Sequence, residues 1–224
     1  NLEICKLLIN HGADVNAKED GGKTALMWAT MGGNLEICKL LINHGADVNA
    51  KDKGGFTALM WPAYNGNLEI CKLLIQYGAD VNAKYNDGGT VLMQAAILGR
   101  LEICQLLINH RADVNATDND GVTALMDAAY KGNLEICKLL INHGADVNAK
   151  DDTGGAALML AVNYGNLEIC QLLINHGADV NAKDEYGFTA LWEAITYSRL
   201  EICQLLINHG ADVNAKDEYG FTAL

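Results

Sequence analysis

Residues 34–50 read NLEICKLLINHGADVNA, and close copies of this stretch organise the whole chain. The stretch starts at the polar Asn34, continues through a mostly apolar run over residues 35–42, and closes on Asn43, His44 and Gly45 before Ala-Asp-Val-Asn-Ala. An apolar run between a polar start and a glycine predicts a short helix that stops at the glycine.

The Leu-Glu-Ile-Cys motif within this stretch occurs seven times, always 33 residues apart. Its copies begin at Leu2, Leu35, Leu68, Leu101, Leu134, Leu167 and Leu200. A fixed period between 20 and 50 residues predicts a solenoid whose repeats contact only their neighbours. The predicted organisation is one repeat domain over residues 1–224. It has full repeats at 18–50, 51–83, 84–116, 117–149, 150–182 and 183–215, and partial repeats at 1–17 and 216–224.

One repeat, residues 51–83, predicts the order turn, helix, turn, helix, loop. A glycine-rich turn comes first, and Thr57 is the expected cap of the first helix, which Gly66 ends. The second helix follows Asn67 and ends at Gly78. This repeat also holds Pro62, which removes a helical hydrogen bond and predicts a distorted first helix.

Three other residues depart from the repeat pattern. Arg111 and Ser198 replace glycines that end helices elsewhere, so each must adopt a left-handed backbone or reshape its loop. Ala156 lacks the capping hydroxyl of the equivalent threonines.

The repeat resembles the ankyrin repeat in length, in its Gly-Ala-Asp-Val-Asn segment and in its T-P-L-H-x-A signature. That signature reads TALMWA from Thr24, TALMWP from Thr57, TVLMQA from Thr90, TALMDA from Thr123, AALMLA from Ala156 and TALWEA from Thr189. The resemblance implies an all-α repeat solenoid with hairpin-like tips, curved around a concave groove that binds partner proteins. The family's proline is alanine or valine here, and its histidine is methionine or Trp192, so apolar packing is expected to replace the histidine hydrogen bonds.

Composition excludes several classes of function. The formal charge of −12 opposes binding to a nucleic-acid backbone. No apolar run approaches the ~18 residues that span a bilayer, so membrane insertion is not expected. All seven cysteines share one position in the apolar run, where neighbouring helices are too far apart for disulfides, and free buried thiols indicate a reducing, intracellular compartment, cytoplasmic or nuclear.

No cofactor, metal or catalytic site is expected. Six histidines recur at the end of the second helix, but successive copies are a whole repeat apart, whereas zinc ligands must converge on one ion. A polar residue that contacts the last carbonyls of its helix explains them better. Near-identical repeats spread like groups along a line, whereas catalysis needs unlike groups together, so the chain is expected not to be an enzyme.

Variation between the repeats predicts where a partner binds. It concentrates at the turn that precedes each first helix, at the residue after the Leu-Met pair and near the end of the first helix, and thirteen of the fourteen aromatic residues lie in this half. Aromatic residues are enriched at binding hot spots. The candidate partner-binding residues are Trp28, Phe56, Trp61, Tyr64, Asn65, Gln94, Asp127, Tyr130, Lys131, Leu160, Tyr164, Tyr186, Phe188, Glu193 and Tyr197.

The sequence is compatible with more than one role for these residues and for the chain. The tryptophans can instead fill space between repeats, which is the favoured interpretation for Trp192. The preferred function is a non-enzymatic scaffold that binds another protein through the groove, and acidic turns suggest a partner with basic character. The alternatives are the targeting segment of a larger enzyme or pathogen-type effector, and a structural spacer.

Partial repeats at both ends predict exposed apolar faces with head-to-tail self-association or fraying.

Overall fold

The computed structural model describes residues 1–222, and this part of the chain contains thirteen α-helices. One helix of each repeat, called the first helix, follows the turn. The first helices are α2 (Ala25–Met31), α4 (Met60–Asn65), α6 (Val91–Ile97), α8 (Ala124–Lys131), α10 (Ala157–Asn163) and α12 (Ala190–Thr196). The second helices are α1 (Leu2–Asn10), α3 (Leu35–Asn43), α5 (Leu68–Gln76), α7 (Leu101–Asn109), α9 (Leu134–Asn142), α11 (Leu167–Asn175) and α13 (Leu200–Asn208). The predicted all-α repeat architecture is confirmed.

The chain forms two compact units. Unit 1 comprises Asn1–Ala95 and Glu102–Asp113, and unit 2 comprises Ala96–Leu101 and Val114–Leu224, of which the residues up to Thr222 are described. In unit 1, α2 packs on α3 and α4, while α3 packs on α1 and α5. In unit 2, the first helices α8, α10 and α12 form one row and the second helices α9, α11 and α13 form another. Each unit therefore stacks equivalent helices side by side.

The core of each unit lies between its two rows of helices. Leucine and methionine of the Leu-Met pair are buried in the first helices, as at Leu125 and Met126. The cysteine of each Leu-Glu-Ile-Cys motif faces them from the second helix. Cys38, Cys71, Cys104, Cys137 and Cys170 are fully buried, Cys5 and Cys203 are half-buried, and all seven are free thiols. The cysteines therefore serve as small apolar side chains.

The turn before each first helix, here called the tip, forms a small antiparallel hairpin. Isolated β-bridges close the tips in the later repeats, as between Lys150 and Ala156 and between Lys183 and Thr189. An aspartate at the start of the tip folds onto it: Asp184 Oδ1 accepts the backbone N–H groups of Tyr186 and Phe188 at 3.0 and 2.8 Å. The hairpin-like tips implied by the ankyrin resemblance are therefore present.

In two of the first helices, α6 and α8, a threonine and a methionine together start the helix. Thr123 Oγ1 accepts the Met126 N–H at 3.3 Å, and the Met126 sulfur accepts the Thr123 N–H at 3.4 Å. Met126 is also 1% exposed. Methionine therefore packs in the core as expected at the family's histidine position, and its sulfur adds a weak hydrogen bond within its own repeat.

Around Pro62 the sequence prediction was partly wrong. Helix α4 begins at Met60, two residues later than its counterparts, which places Pro62 in the first turn, where a missing N–H is tolerated. The late start of α4 leaves Thr57 without its expected role. The sequence predicts that Thr57 caps the helix, but its side chain does not cap α4. Its buried Oγ1 has no hydrogen-bond partner among the described residues, because the Met60 N–H donates to the Thr57 carbonyl instead. The predicted distortion is thus a shortened helix.

The other three departures behave as the sequence indicates. Arg111 and Ser198 adopt left-handed backbones, with φ of 67° and 55°. Ala156 precedes α10 as its N-cap residue and makes no side-chain capping bond. The repeat geometry is therefore kept at each site despite a local energetic cost of about 1 kcal/mol.

The asparagine of the Ala-Asp-Val-Asn segment connects each repeat to the next. Asn148 Nδ2 donates to the Gly177 carbonyl at 2.9 Å, and Asn148 Oδ1 accepts the Asp179 N–H at 2.8 Å. The same pair of bonds recurs at Asn16, Asn49, Asn82, Asn115 and Asn181. This bridge explains why the segment hardly varies between repeats.

Candidate functional site

Tips and first helices carry the candidate residues, and the tips of neighbouring repeats are joined by backbone hydrogen bonds. In unit 1 the Lys53 N–H donates to the Gly21 carbonyl at 2.9 Å, and in unit 2 the Glu185 N–H donates to the Thr153 carbonyl at 2.8 Å. Side chains at equivalent positions therefore follow one another in rows within each unit. We call this the tip-and-helix surface.

In unit 1, three candidate aromatic residues cluster in a single repeat. The rings of Phe56 and Trp61 stack at 5.6 Å, Trp61 meets Tyr64 edge-on at 6.4 Å, and Tyr85 from the next tip lies 4.7 Å from Phe56. Phe56, Trp61 and Tyr85 are half-buried, whereas Tyr64 is exposed. The cluster thus offers one accessible tyrosine on a supported aromatic base.

Trp28 lies apart from this cluster on α2. It is 50% exposed, and the Lys23 ammonium lies 5.7 Å from its ring centre, a cation–π contact within the repeat. A large indole with half its surface in solvent is not a core residue, so space filling does not account for Trp28.

In unit 2, tyrosines occupy the ends of the first helices. The rings of Tyr130 and Tyr164 meet edge-on at 4.4 Å, and the Lys131 ammonium lies 4.6 Å over the Tyr130 ring. Tyr164 and Tyr197 are 53% and 51% exposed. The hydrogen bond with the Tyr130 side chain is the main cause that raises the pKa of Tyr164. The nearby Tyr197 raises this pKa further. Three tyrosines from neighbouring helices therefore form one surface row.

A second aromatic group in unit 2 connects a tip to its helix. Phe188 stacks on Trp192 at 4.8 Å and lies 6.3 Å from Tyr186. Phe188 and Trp192 are half-buried, and Tyr186 is exposed. Trp192 therefore supports the tip of its own repeat, and its role in filling space between repeats stays a prediction.

Two carboxyl groups lie half-buried where a tip meets its first helix. Burial, then Asp118, raise the pKa of Asp127 to about 7, and Lys131 lowers it only in part. Burial, then Asp184, raise the pKa of Glu193. With its amide nitrogen turned toward α12, Asn163 donates to Glu193 Oε2 at 2.8 Å. Both carboxyls thus lie in surroundings that disfavour their charge.

The remaining candidates surround these groups. Gln94 in unit 1 and Leu160 in unit 2 are half-buried, while Asn65 and Lys131 are exposed. The Asn65 amide donates to the Met31 carbonyl of the preceding repeat at 3.3 Å. The candidate set thus divides between the two units, with six residues in unit 1 and nine in unit 2.

Sequence reasoning missed two contributors to this surface. Tyr85 is not among the candidates that the sequence indicates, although it supports Phe56. Lys23 likewise contacts Trp28. Both are tip residues next in space to a selected aromatic residue, and the variability of the tips was the available signal.

The histidines and cysteines lie elsewhere. Nδ1 of each histidine lies 2.8 Å from the carbonyl four residues earlier, as for His44 and Leu40, which is the helix-end contact predicted for them. Within residues 1–222, no three His, Cys, Asp or Glu side chains are grouped to hold a metal. Among the helices of the same residues, none has the length and apolar character that crossing a bilayer requires.

Paired helices at a 33-residue spacing, hairpin tips and the asparagine bridge define a protein built from ankyrin-type repeats. The family model described as ankyrin repeats matches this chain in three copies, at residues 1–85, 82–151 and 150–217. The chain therefore belongs to the ankyrin-repeat family, whose members generally mediate protein–protein interaction. No curated protein matches the sequence.

Proposed function

We propose that this chain is a non-catalytic module that binds a partner protein through its tip-and-helix surface, which lines the groove in proteins that this chain resembles. The observation that carries the proposal is the exposure of large aromatic side chains there: Trp28, Tyr64, Tyr164, Tyr186 and Tyr197 are each about half exposed. Exposed aromatic residues on a rigid scaffold bury much area on binding at little entropic cost.

Contacts beneath these residues support the same proposal. Stacked Phe56 and Trp61 hold Tyr64, and Tyr130 holds Tyr164, so the exposed rings are already oriented before a partner arrives. Preorganised side chains lose little freedom on binding. The free cysteines support a reducing compartment as the place where the module acts.

The test uses a partner captured by the full chain and identified by mass spectrometry. Its affinity is measured by calorimetry for Trp28→Ala with Tyr64→Ala and, separately, for Tyr164→Ala with Tyr197→Ala. At least one double variant should lose tenfold or more in affinity, about 1.4 kcal/mol. Tyr77→Ala is the matched control, because Tyr77 and Tyr64 are each 48% exposed but Tyr77 ends a second helix. If both double variants bind as the wild type does, or if only Tyr77→Ala weakens binding, the assignment of the surface is wrong.

Self-association remains a separate part of the proposal. Helix α1 has no buried residue, and Ile4, Leu7 and Leu8 are each more than half exposed. We propose that this apolar face can pair head-to-tail with another copy. Sedimentation velocity at increasing concentration should show a growing oligomer, and Leu7→Lys with Leu8→Lys should abolish it. A concentration-independent monomer contradicts this part of the proposal.

A further inference from the structure

Negative charge is concentrated in unit 2. Its residues include 16 acidic and 7 basic side chains, a formal charge of −9, against 12 and 9 in unit 1, a charge of −3. Part of this charge is structural, since Asp118, Asp151 and Asp184 each accept two backbone N–H groups of their own tip. Asp127 and Glu193 have no such role in a tip.

The residue after the Leu-Met or Leu-Trp pair distinguishes the two units. In unit 1 this position holds Trp28, Trp61 and Gln94, and in unit 2 it holds Asp127, Leu160 and Glu193. Because α8, α10 and α12 pack side by side, the unit 2 residues follow one another as acid, apolar, acid.

Neither carboxyl is matched by a basic side chain. In the described part of unit 2, no lysine or arginine nitrogen lies within 4.0 Å of a carboxylate oxygen of Asp127 or Glu193. Lys131 is the nearest candidate for Asp127, and its ammonium lies over the Tyr130 ring. A half-buried carboxylate without a cation is destabilised, and an incoming cation relieves that cost.

The tyrosines near Asp127 and Glu193 favour a guanidinium group as the cation that binds there. Tyr130 already holds an ammonium on its ring, and Tyr164 and Tyr197 expose theirs. A guanidinium group stacks on aromatic faces and binds carboxylates with two parallel hydrogen bonds, whereas an ammonium acts as a point charge. The surface therefore has the chemistry that selects arginine.

We propose that unit 2 docks an extended segment of the partner protein through two arginines, one at Asp127 and one at Glu193, with an apolar side chain over Leu160. Packed helices lie about 8–10 Å apart, so two steps along the row span about 16–20 Å. An extended chain advances about 3.3 Å per residue, which places the arginines about five or six residues apart. This inference rests on the proposed function and specifies the partner's chemistry.

The experiment selects random twelve-residue peptides displayed on phage against the immobilised full chain. Peptides with two arginines five or six residues apart and an apolar residue between them should be enriched. The enriched peptides are synthesised, and their affinities are measured by fluorescence anisotropy. Replacing both peptide arginines by lysine should weaken binding severalfold.

Variants of the chain locate the contact. D127N/E193Q should weaken binding by about tenfold or more. E135Q/E168Q is the matched control, because it removes two carboxylates from exposed sites on the second helices and should change affinity less than about twofold. K131Q should strengthen binding, since it removes a like charge beside Asp127. Circular dichroism verifies that each variant is folded.

Three results overturn the inference: no peptide is enriched, the enriched peptides lack basic residues, or D127N/E193Q binds them as E135Q/E168Q does. These failures are distinct from failure of the proposed function, which is measured with an intact partner and the aromatic variants. A partner that requires Tyr164 and Tyr197 but not Asp127 and Glu193 would keep the proposed function and exclude the arginine segment.

Discussion

At the scale of single residues, the bridging asparagine shows how one side chain couples two repeats. Asn148→Ala removes both a donor to Gly177 and an acceptor for Asp179. Water can reach these exposed groups, so the loss should be moderate, about 1–2 kcal/mol in the free energy of unfolding. Urea denaturation followed by circular dichroism measures it.

Asn214 supplies the control for this substitution. It occupies the same place in its repeat, and its backbone N–H donates to Asp212 Oδ1 as in the others, but within residues 1–222 its side chain makes neither bridging bond. Asn214→Ala should therefore cost less than about 0.5 kcal/mol. Equal costs for Asn148→Ala and Asn214→Ala would show that the bridge adds nothing to stability.

Asp127 makes stability depend on pH. Its pKa of about 7 in the folded chain lies above the ordinary value of 3.8, so the folded state holds the proton more tightly than the unfolded state. The resulting penalty is fully present above pH 7 and disappears as the pH falls toward 4. Asp127→Asn should raise the free energy of unfolding by about 1–2 kcal/mol near pH 8, a reduced value because the carboxyl is partly solvated.

The gain from Asp127→Asn should vanish near pH 4, where both side chains are neutral. Urea denaturation at several pH values between these limits measures the trend. Asp120→Asn, which removes an exposed carboxylate from the adjacent tip, is the control for the change in net charge. A gain that persists at pH 4 would mean that the substitution acts through something other than this proton.

At the scale of helices, α4 shows how one proline moves a helix boundary. Counterparts of Pro62 are alanine in the other five full repeats, and the first helices that contain them start two residues earlier than α4 in the repeat. Pro62→Ala should let α4 begin at Ala58, with Thr57 capping the Met60 N–H. The gain of a cap and of helical hydrogen bonds is opposed by greater freedom of the unfolded chain, which leaves about 1 kcal/mol of stabilisation.

Urea denaturation and the far-ultraviolet circular dichroism signal at 222 nm measure the two parts of this prediction, stability and helix content. Pro62→Ala combined with Thr57→Val tests the mechanism, because valine cannot accept the hydrogen bond and the gain should shrink. Stabilisation by Pro62→Ala without an increase in helix content would contradict the proposed extension of α4.

At the scale of the whole molecule, periodicity predicted the helices because every repeat supplies the same apolar faces, tip aspartates and stop signals. Methionine at the family's histidine position was predicted to pack in the core, and it does. What could not be predicted is which variable side chains meet across repeats, such as Phe56 with Tyr85 or Tyr130 with Tyr164. These contacts depend on how neighbouring repeats are placed, and a period in the sequence carries no distances. The asparagine bridge could not be predicted for the same reason, because its hydrogen bonds join neighbouring repeats.

The reactivity of the seven cysteine thiols shows how the repeats open in the folded molecule. Burial raises the pKa of the Cys71, Cys104, Cys137 and Cys170 thiols to about 12 and that of Cys38 to about 11, so in the folded chain almost none is ionised at neutral pH. Thiolate is the form that alkylating reagents attack, and these thiols have no exposed surface. They should react only when their repeats open locally.

Pulsed alkylation with iodoacetamide, followed by peptide mass spectrometry, should therefore modify half-buried Cys5 and Cys203 first and the five buried thiols much later. In a solenoid each repeat is held by its neighbours, so protection should be greatest where a repeat has a partner on both sides. The chain denatured in urea, where all seven thiols should react at similar rates, is the control. If all seven react at one common rate in the folded chain, the molecule opens as a single cooperative unit rather than repeat by repeat.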